Sequence, residues 1–168
     1  MTTFFREVHY EFDIHPYFVK AFKKRWYVVA YSPGTDDIRC YALDRMENVI
    51  ISDKVFKMPK DLEPAEYFKD CFGIINNKDS EVQKVVLKVD AFQSNYIRNL
   101  PLHESQKEMK RTNEYSIFEY HLKPEFDFEQ EIFSNMDTME VLEPQWLREE
   151  VSERLRNLAK KYKICPSS

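Results

Sequence analysis

One short stretch of this chain crowds cations against rings: His15-Pro16-Tyr17-Phe18-Val19-Lys20-Ala21-Phe22-Lys23-Lys24-Arg25-Trp26-Tyr27-Val28-Val29. A second basic element, Ile38-Arg39-Cys40-Tyr41-Ala42-Leu43-Asp44-Arg45, follows about one hairpin later. The chain as a whole is acidic, with a formal charge of −4 over 168 residues. These positive groups are therefore a local concentration. A guanidinium offers a planar fork of donors that matches phosphate. An imidazole titrates near neutral pH, and an exposed ring gives a nucleobase a surface to stack on. The chemistry suggested is recognition of an anion that carries a flat group.

Arg39 and Arg45 lead the candidates. They stand six residues apart on a predicted strand and its end, and share a face if the strand stays regular. The competing reading is a pair of surface arginines neutralised by Asp36, Asp37 or Asp44. His15 follows the polar side of an alternating run and can donate to a phosphate, or it is an ordinary exposed strand histidine. Trp26 and Tyr27 must point to opposite faces of one strand. Trp26 is read as core, Tyr27 as a partly exposed ring and weaker site candidate. Lys20, Lys23, Lys24 and Arg25 either steer polyanions or form a solvated face. The candidate ligand-binding set is His15, Lys20, Arg25, Tyr27, Arg39 and Arg45.

Several classes of chemistry find no support. Only two glycines occur, Gly34 and Gly73, so a glycine-rich phosphate loop is excluded. Three cysteines, Cys40, Cys71 and Cys165, include no CxxC pair. That argues against a disulfide framework and for a reducing cytoplasm. His9, His15, His103 and His121 show no HxxxH or HExxH spacing, and the acidic run Glu125–Glu131 lacks calcium-loop spacing. No nucleophile elbow or triad is readable around His103 and Ser105. The expectation is a protein that is not an enzyme, with no cofactor and no metal. No apolar run approaches the ~20 residues of a membrane span, and the N-terminus lacks a signal-peptide core.

The elements that must position these groups can be read from periodicity. Val8, Tyr10, Phe12 and Ile14 alternate with polar residues and predict a strand, with Pro16 as a break or an edge position. Arg25–Tyr31 and Ile38–Leu43 read as strands about the turn Ser32–Asp37, and Val49–Ile51 as another short one. Pro64 opens a helix that Gly73 can end, and residues 74–80 read as a linker. Beyond it, Val85, Leu87 and Val89 mark a strand and Ala91–Leu100 a helix. Tyr115–Leu122 is a strand, Pro124–Phe133 a helical segment and Met139–Leu142 a strand. The last helix follows Pro144, with Leu147, Val151, Leu155, Leu158 and Tyr162 in one stripe and Glu150–Arg154 as an i,i+4 pair. The fold class is thus mixed β and α+β. A small β-barrel over residues 1–75 precedes a ferredoxin-like α+β domain over 81–168.

Arg25-Trp26-Tyr27-Val28 resembles the signature of the WYL-domain transcriptional regulators, with Val28 in place of the motif's leucine. His15-Pro16 upstream and Arg39…Leu43-Asp44-Arg45 downstream are similar to that family's pattern. Leu100-Pro101-Leu102-His103-Glu104-Ser105-Gln106 and Val141-Leu142-Glu143-Pro144 resemble the C-terminal extension that often follows it. The resemblance implies an SH3-like or Sm-like barrel and a role as sensor or oligomerisation module in bacterial transcription factors. It implies an anionic ligand, a nucleotide or short single-stranded nucleic acid, held in a basic pocket, and a homodimer. It also implies a helix-turn-helix ahead of the barrel that binds DNA. That element is missing from this sequence, which is read as the C-terminal part of such a regulator.

Overall fold

The computed structural model describes residues 10–164. They divide into two compact units, the first closing at Phe68 and the second starting at Lys69.

The first unit is built on three antiparallel strands, β1 (His15–Phe22), β2 (Arg25–Ser32) and β3 (Asp37–Ala42), in the order β1-β2-β3. Only Lys23 and Lys24 separate β1 from β2, with φ of 44° and 65°. Two successive left-handed residues give the turn whose twist matches that of the flanking strands. Pro16 lies on the outer strand beside a register shift between Pro16 and Phe18, the edge position a residue without an N–H requires. The alternating run expected as the first strand lies partly outside the described residues. Residues 10–14 form no strand, and regular pairing starts only at His15.

Two further expectations for this unit are corrected. Val49–Ile51 is not a strand, and its side chains are 70%, 86% and 96% exposed. β-branched residues favour extended backbone, but a strand exists only where a neighbour accepts its hydrogen bonds. The helix from Pro64 is one short piece, α1 (Pro64–Phe68). Among the described residues no glycine has positive φ, so Gly73 supplies no left-handed helix end. Tyr67 and Phe68 of α1 meet Phe18 of β1 edge-on, at centroid distances of 6.5 and 6.3 Å. The described strands make an open three-stranded sheet, not a closed barrel.

The second unit runs β4 (Gln83–Asp90), α2 (Ala91–Asn99), β5 (Lys107–Arg111), β6 (Tyr115–Leu122), α3 (Phe126–Ser134), β7 (Met139–Glu143) and α4 (Gln145–Lys161). Its sheet is antiparallel in the order β5-β6-β4-β7. Alternation explains the core: Val85, Leu87 and Val89 of β4 and Phe118, Tyr120 and Leu122 of β6 are at most 1% exposed. Ile97 of α2, Phe128 and Ile132 of α3, and Leu147 and Val151 of α4 close over that same face. Asp90 caps α2 by accepting the N–H of Gln93 at 2.7 Å. The edge strand β5 escaped sequence reading because Lys107-Glu108-Met109-Lys110-Arg111 buries nothing.

Residues 69–80 belong to this second unit. Asp127 accepts the N–H groups of Ile74 and Ile75 at 2.8 and 3.3 Å. Lys123 donates to Asn76 and to the Asn77 carbonyl, both at 2.9 Å.

Candidate functional site

Strand register decides which basic and aromatic groups meet. His15 pairs with Tyr31, Phe18 with Val29, Lys20 with Tyr27 and Phe22 with Arg25. Paired residues share a face, and residues two apart on a strand share it too. His15, Lys20, Arg25 and Tyr27 therefore lie on one face of the sheet, with Tyr31 beside them. Arg39 pairs with Ala30 and stands on the opposite face, where Val28, Ala30 and Tyr41 cluster with Ile14 and Met46.

The single face predicted for Arg39 and Arg45 does not arise from a regular strand. β3 ends at Ala42, and Leu43–Arg45 is a 3₁₀ turn, so strand parity no longer governs Arg45. Trp26 is likewise not core. It is 56% exposed on the Arg39 face, while Tyr27 is half-buried. The tryptophan is the second residue of β2, close to the hairpin turn.

On the shared face Lys20, Arg25, His15 and Tyr31 have partners. The Lys20 ammonium lies 3.6 Å from the centroid of the Phe68 ring, a cation held over a negative π face. Arg25 Nε is 3.1 Å from Asp44 Oδ2, an ion pair across a half-exposed surface. His15 is stacked on Phe56 at 4.7 Å and 5°, and its ring is 5.5 Å from that of Tyr31. Tyr31 donates to Asp36 at 2.6 Å. That bond to a carboxylate favours the neutral phenol and raises its pKa. At this end Lys54 pairs with Asp13, and its hydrogen bond, then its positive charge, lower the Asp13 pKa.

The result is a face with cations at one end and stacked rings at the other. Of its cations, Arg25 is held by a half-exposed carboxylate that an anion can replace, and Lys20 lies over the buried Phe68 ring. Phe56 and Phe68 were not anticipated as parts of it. Phe56 is a single aromatic in a segment without strand periodicity, Phe68 follows Tyr67 in the helix after Pro64, and only the tertiary fold brings them over the sheet.

Other candidate chemistry resolves into structure. The His103 ring Nδ1 lies 2.8 Å from Ser105 Oγ and accepts the Ser105 N–H at 3.2 Å. Ser105 Oγ in turn accepts the N–H of His121 at 2.9 Å. Gln106 accepts from the Leu102 N–H and the Tyr120 hydroxyl, both at 3.1 Å, and donates to the Ile97 carbonyl at 3.0 Å. These residues lock the chain between α2 and β5. Among the described residues no group of three His, Cys, Asp or Glu is placed to hold a metal ion, and no helix is long and apolar enough to cross a membrane.

Comparison with known proteins matches the same two parts of the chain. The family model of the WYL domain matches residues 4–51, and that of the WCX domain matches residues 81–159. No curated protein matches the chain. Among solved structures it is similar to "Proteasome accessory factor B/C (PafBC) of Arthrobacter aurescens", at 18% identity and a TM-score of 0.39. The match covers 92% of this chain and 23% of that one, so the chain spans about a quarter of its length.

Proposed function

The chain belongs to the WYL-domain family, carrying a WYL domain followed by a WCX domain, and on that premise we propose that it is the ligand-sensing and oligomerisation region of a bacterial transcriptional regulator. The WYL part binds an anionic ligand, a nucleotide or a short single strand. The observation that carries this reading is the register that puts His15, Lys20, Arg25 and Tyr27 on one face. Lys20 and Arg25 meet phosphate oxygens, Tyr27 and the His15 stack meet the base, and Arg45 closes the end of the site. Arg39, on the other face, adds to the attracting field without touching the ligand.

In this reading the three-stranded sheet is the described part of an SH3-like or Sm-like barrel. The order β4-α2-β5-β6-α3-β7 and the strand order β5-β6-β4-β7 support a ferredoxin-like second domain. The regulator works in the cytoplasm as a homodimer. An upstream helix-turn-helix contacts DNA, and ligand occupancy shifts the balance between two arrangements of the dimer.

The test is a melting and titration series with mononucleotides, cyclic dinucleotides and short single-stranded oligonucleotides at low and high salt. Binding to the native state raises Tm by mass action. A rise for one ligand class that is lost in Lys20→Ala or Arg25→Ala supports the reading. No rise with any of them at low salt overturns it.

A second reading is favoured by the partners of Lys20 and Arg25. If Phe68 and Asp44 are their purpose, the sheet is a structural module that binds nothing. The two readings part on the same titration. Binding of long single strands but not of mononucleotides would instead indicate a nucleic-acid-binding sheet without a sensory role.

A further inference from the structure

Residues 48–61 form no helix or strand, and every one of them is exposed except Phe56. The segment is fixed at both ends. Met46 packs against the cluster of Val28, Ala30 and Tyr41, and Tyr67 and Phe68 of α1 meet Phe18. Between those ends Phe56 is the anchor. Its ring centroid lies 4.7 Å from that of His15, with the two planes 5° apart, and 6.2 Å from that of Tyr17. Val55 beside it is 94% exposed, so the contact belongs to one side chain. A second, polar tie is the ion pair of Lys54 with Asp13, exposed on both sides and therefore weak.

Near-parallel rings at this separation are the arrangement a nucleobase adopts on an aromatic side chain. Phe56 thus sits where a base stacked on His15 would sit. Two flat groups cannot cover the same face of one imidazole, so a base reaches it only when Phe56 leaves. The ring contact given up is of the same kind as the one the base makes. The exchange is then tipped by what the ligand adds, its phosphates against the cations of the face.

We propose that residues 48–61 are a displaceable strap, with Phe56 holding the place of the base on His15 until a ligand takes it. This rests on the ligand-binding reading above and adds how its site is closed. Apparent affinity is lowered in proportion to the fraction of molecules in which the strap is open. Only a ligand that carries a base displaces Phe56. An anion that meets the cations alone leaves the strap in place.

Calorimetric titration of the whole chain at low salt tests this, with a thymidine trinucleotide compared against an abasic strand of the same length and charge. Three nucleotides are chosen because His15 and Lys20 lie about 15 Å apart along β1. Phe56→Ala and Phe56→Leu should each tighten the trinucleotide about three- to tenfold and leave the abasic strand unchanged. Leucine keeps an apolar side chain on the strap and removes only the flat ring. Trypsin gives a second readout at Lys54 and Lys57. The trinucleotide should speed cleavage there severalfold in the parent chain, whereas a ligand that merely covered the face would slow it. If neither strand binds the parent or the variants, this inference and the ligand-binding reading fall together. If the trinucleotide binds the parent but neither variant tightens it, or both strands gain equally, or cleavage slows, the strap is overturned and the ligand-binding reading stands.

Discussion

The Lys20 ammonium lies 3.6 Å from the centroid of the Phe68 ring, so a cation on the candidate ligand face also ties α1 to β1. Such a contact contributes about 0.5–2 kcal/mol, depending on how far it is desolvated. Lys20→Met keeps most of the stem and removes the charge. It should cost about 1 kcal/mol of stability and raise the Kd for an anionic ligand about tenfold, roughly 1.4 kcal/mol. Denaturant titration and calorimetric titration read the two effects separately. Lost stability with unaltered ligand affinity would assign Lys20 to structure alone.

The ion pair of Arg25 with Asp44 makes a prediction of opposite sign. Half-exposed pairs contribute little to stability, about 1 kcal/mol at most. Asp44→Asn should therefore barely move Tm. By releasing the Arg25 guanidinium and removing a negative charge from the face, it should tighten binding of an anionic ligand severalfold at low salt. High salt should erase the gain. Weaker binding in Asp44→Asn would mean that Asp44 positions Arg25 for the ligand.

The β1–β2 hairpin can be improved. Lys23 and Lys24 both hold left-handed backbone, with φ of 44° and 65°, which costs a residue with a Cβ about 1 kcal/mol. Replacing them with Asn-Gly, the pair such a turn prefers, should stabilise the protein by about 1 kcal/mol. If these lysines serve only the long-range field, the affinity for mononucleotides should be retained. The salt dependence of binding to long single strands should become shallower.

Acid should loosen the edge of the second sheet. Arg98 Nε donates to both carboxylate oxygens of Glu108, at 3.1 and 2.9 Å, and Nη2 donates to Oε1 at 2.7 Å. This fork holds the Glu108 carboxyl down to about 2 from its ordinary 4.5, against an opposing effect of burial. A folded-state pKa below the unfolded one gives stability that is complete above the unfolded value and lost as pH falls through the folded one. Stability should therefore drop between pH 4.5 and about 2. Glu108→Gln should flatten that part of the profile and cost about 1 kcal/mol at neutral pH.

Asp127 offers a local test of the segment between the two sheets. One of its oxygens accepts the N–H groups of Ile74 and Ile75, and the other accepts the N–H of Phe128. Asp127→Ala removes the acceptor that the Ile74 and Ile75 N–H groups share, while Phe128 keeps its bond to the Glu125 carbonyl, and should cost about 2 kcal/mol. Limited proteolysis should then cut within residues 69–80, where the parent chain resists. Equal resistance in both would show that the Lys123 bonds to Asn76 and Asn77 suffice to hold the segment.

The sequence by itself determined what local periodicity and chemistry control. Alternation in Val85-Val86-Leu87-Lys88-Val89 and in Tyr115–Leu122 marks two strands because one face of each must leave water. The same logic marks the helix after Pro144 and the basic-aromatic block that carries the candidate face. Tertiary structure decided everything that depends on a partner distant in sequence. Val49–Ile51 has the composition of a strand, but among the described residues no strand pairs with it. β5 has no strand composition, yet β6 supplies the hydrogen bonds it needs. Register alone separated Arg39 from Lys20, Arg25 and Tyr27, because in a pleated sheet the choice of face follows pairing. Phe68 and Asp44 came to the cations of that face by chain folding. A side chain's environment is set by what the rest of the chain places beside it, and sequence spacing does not contain that information.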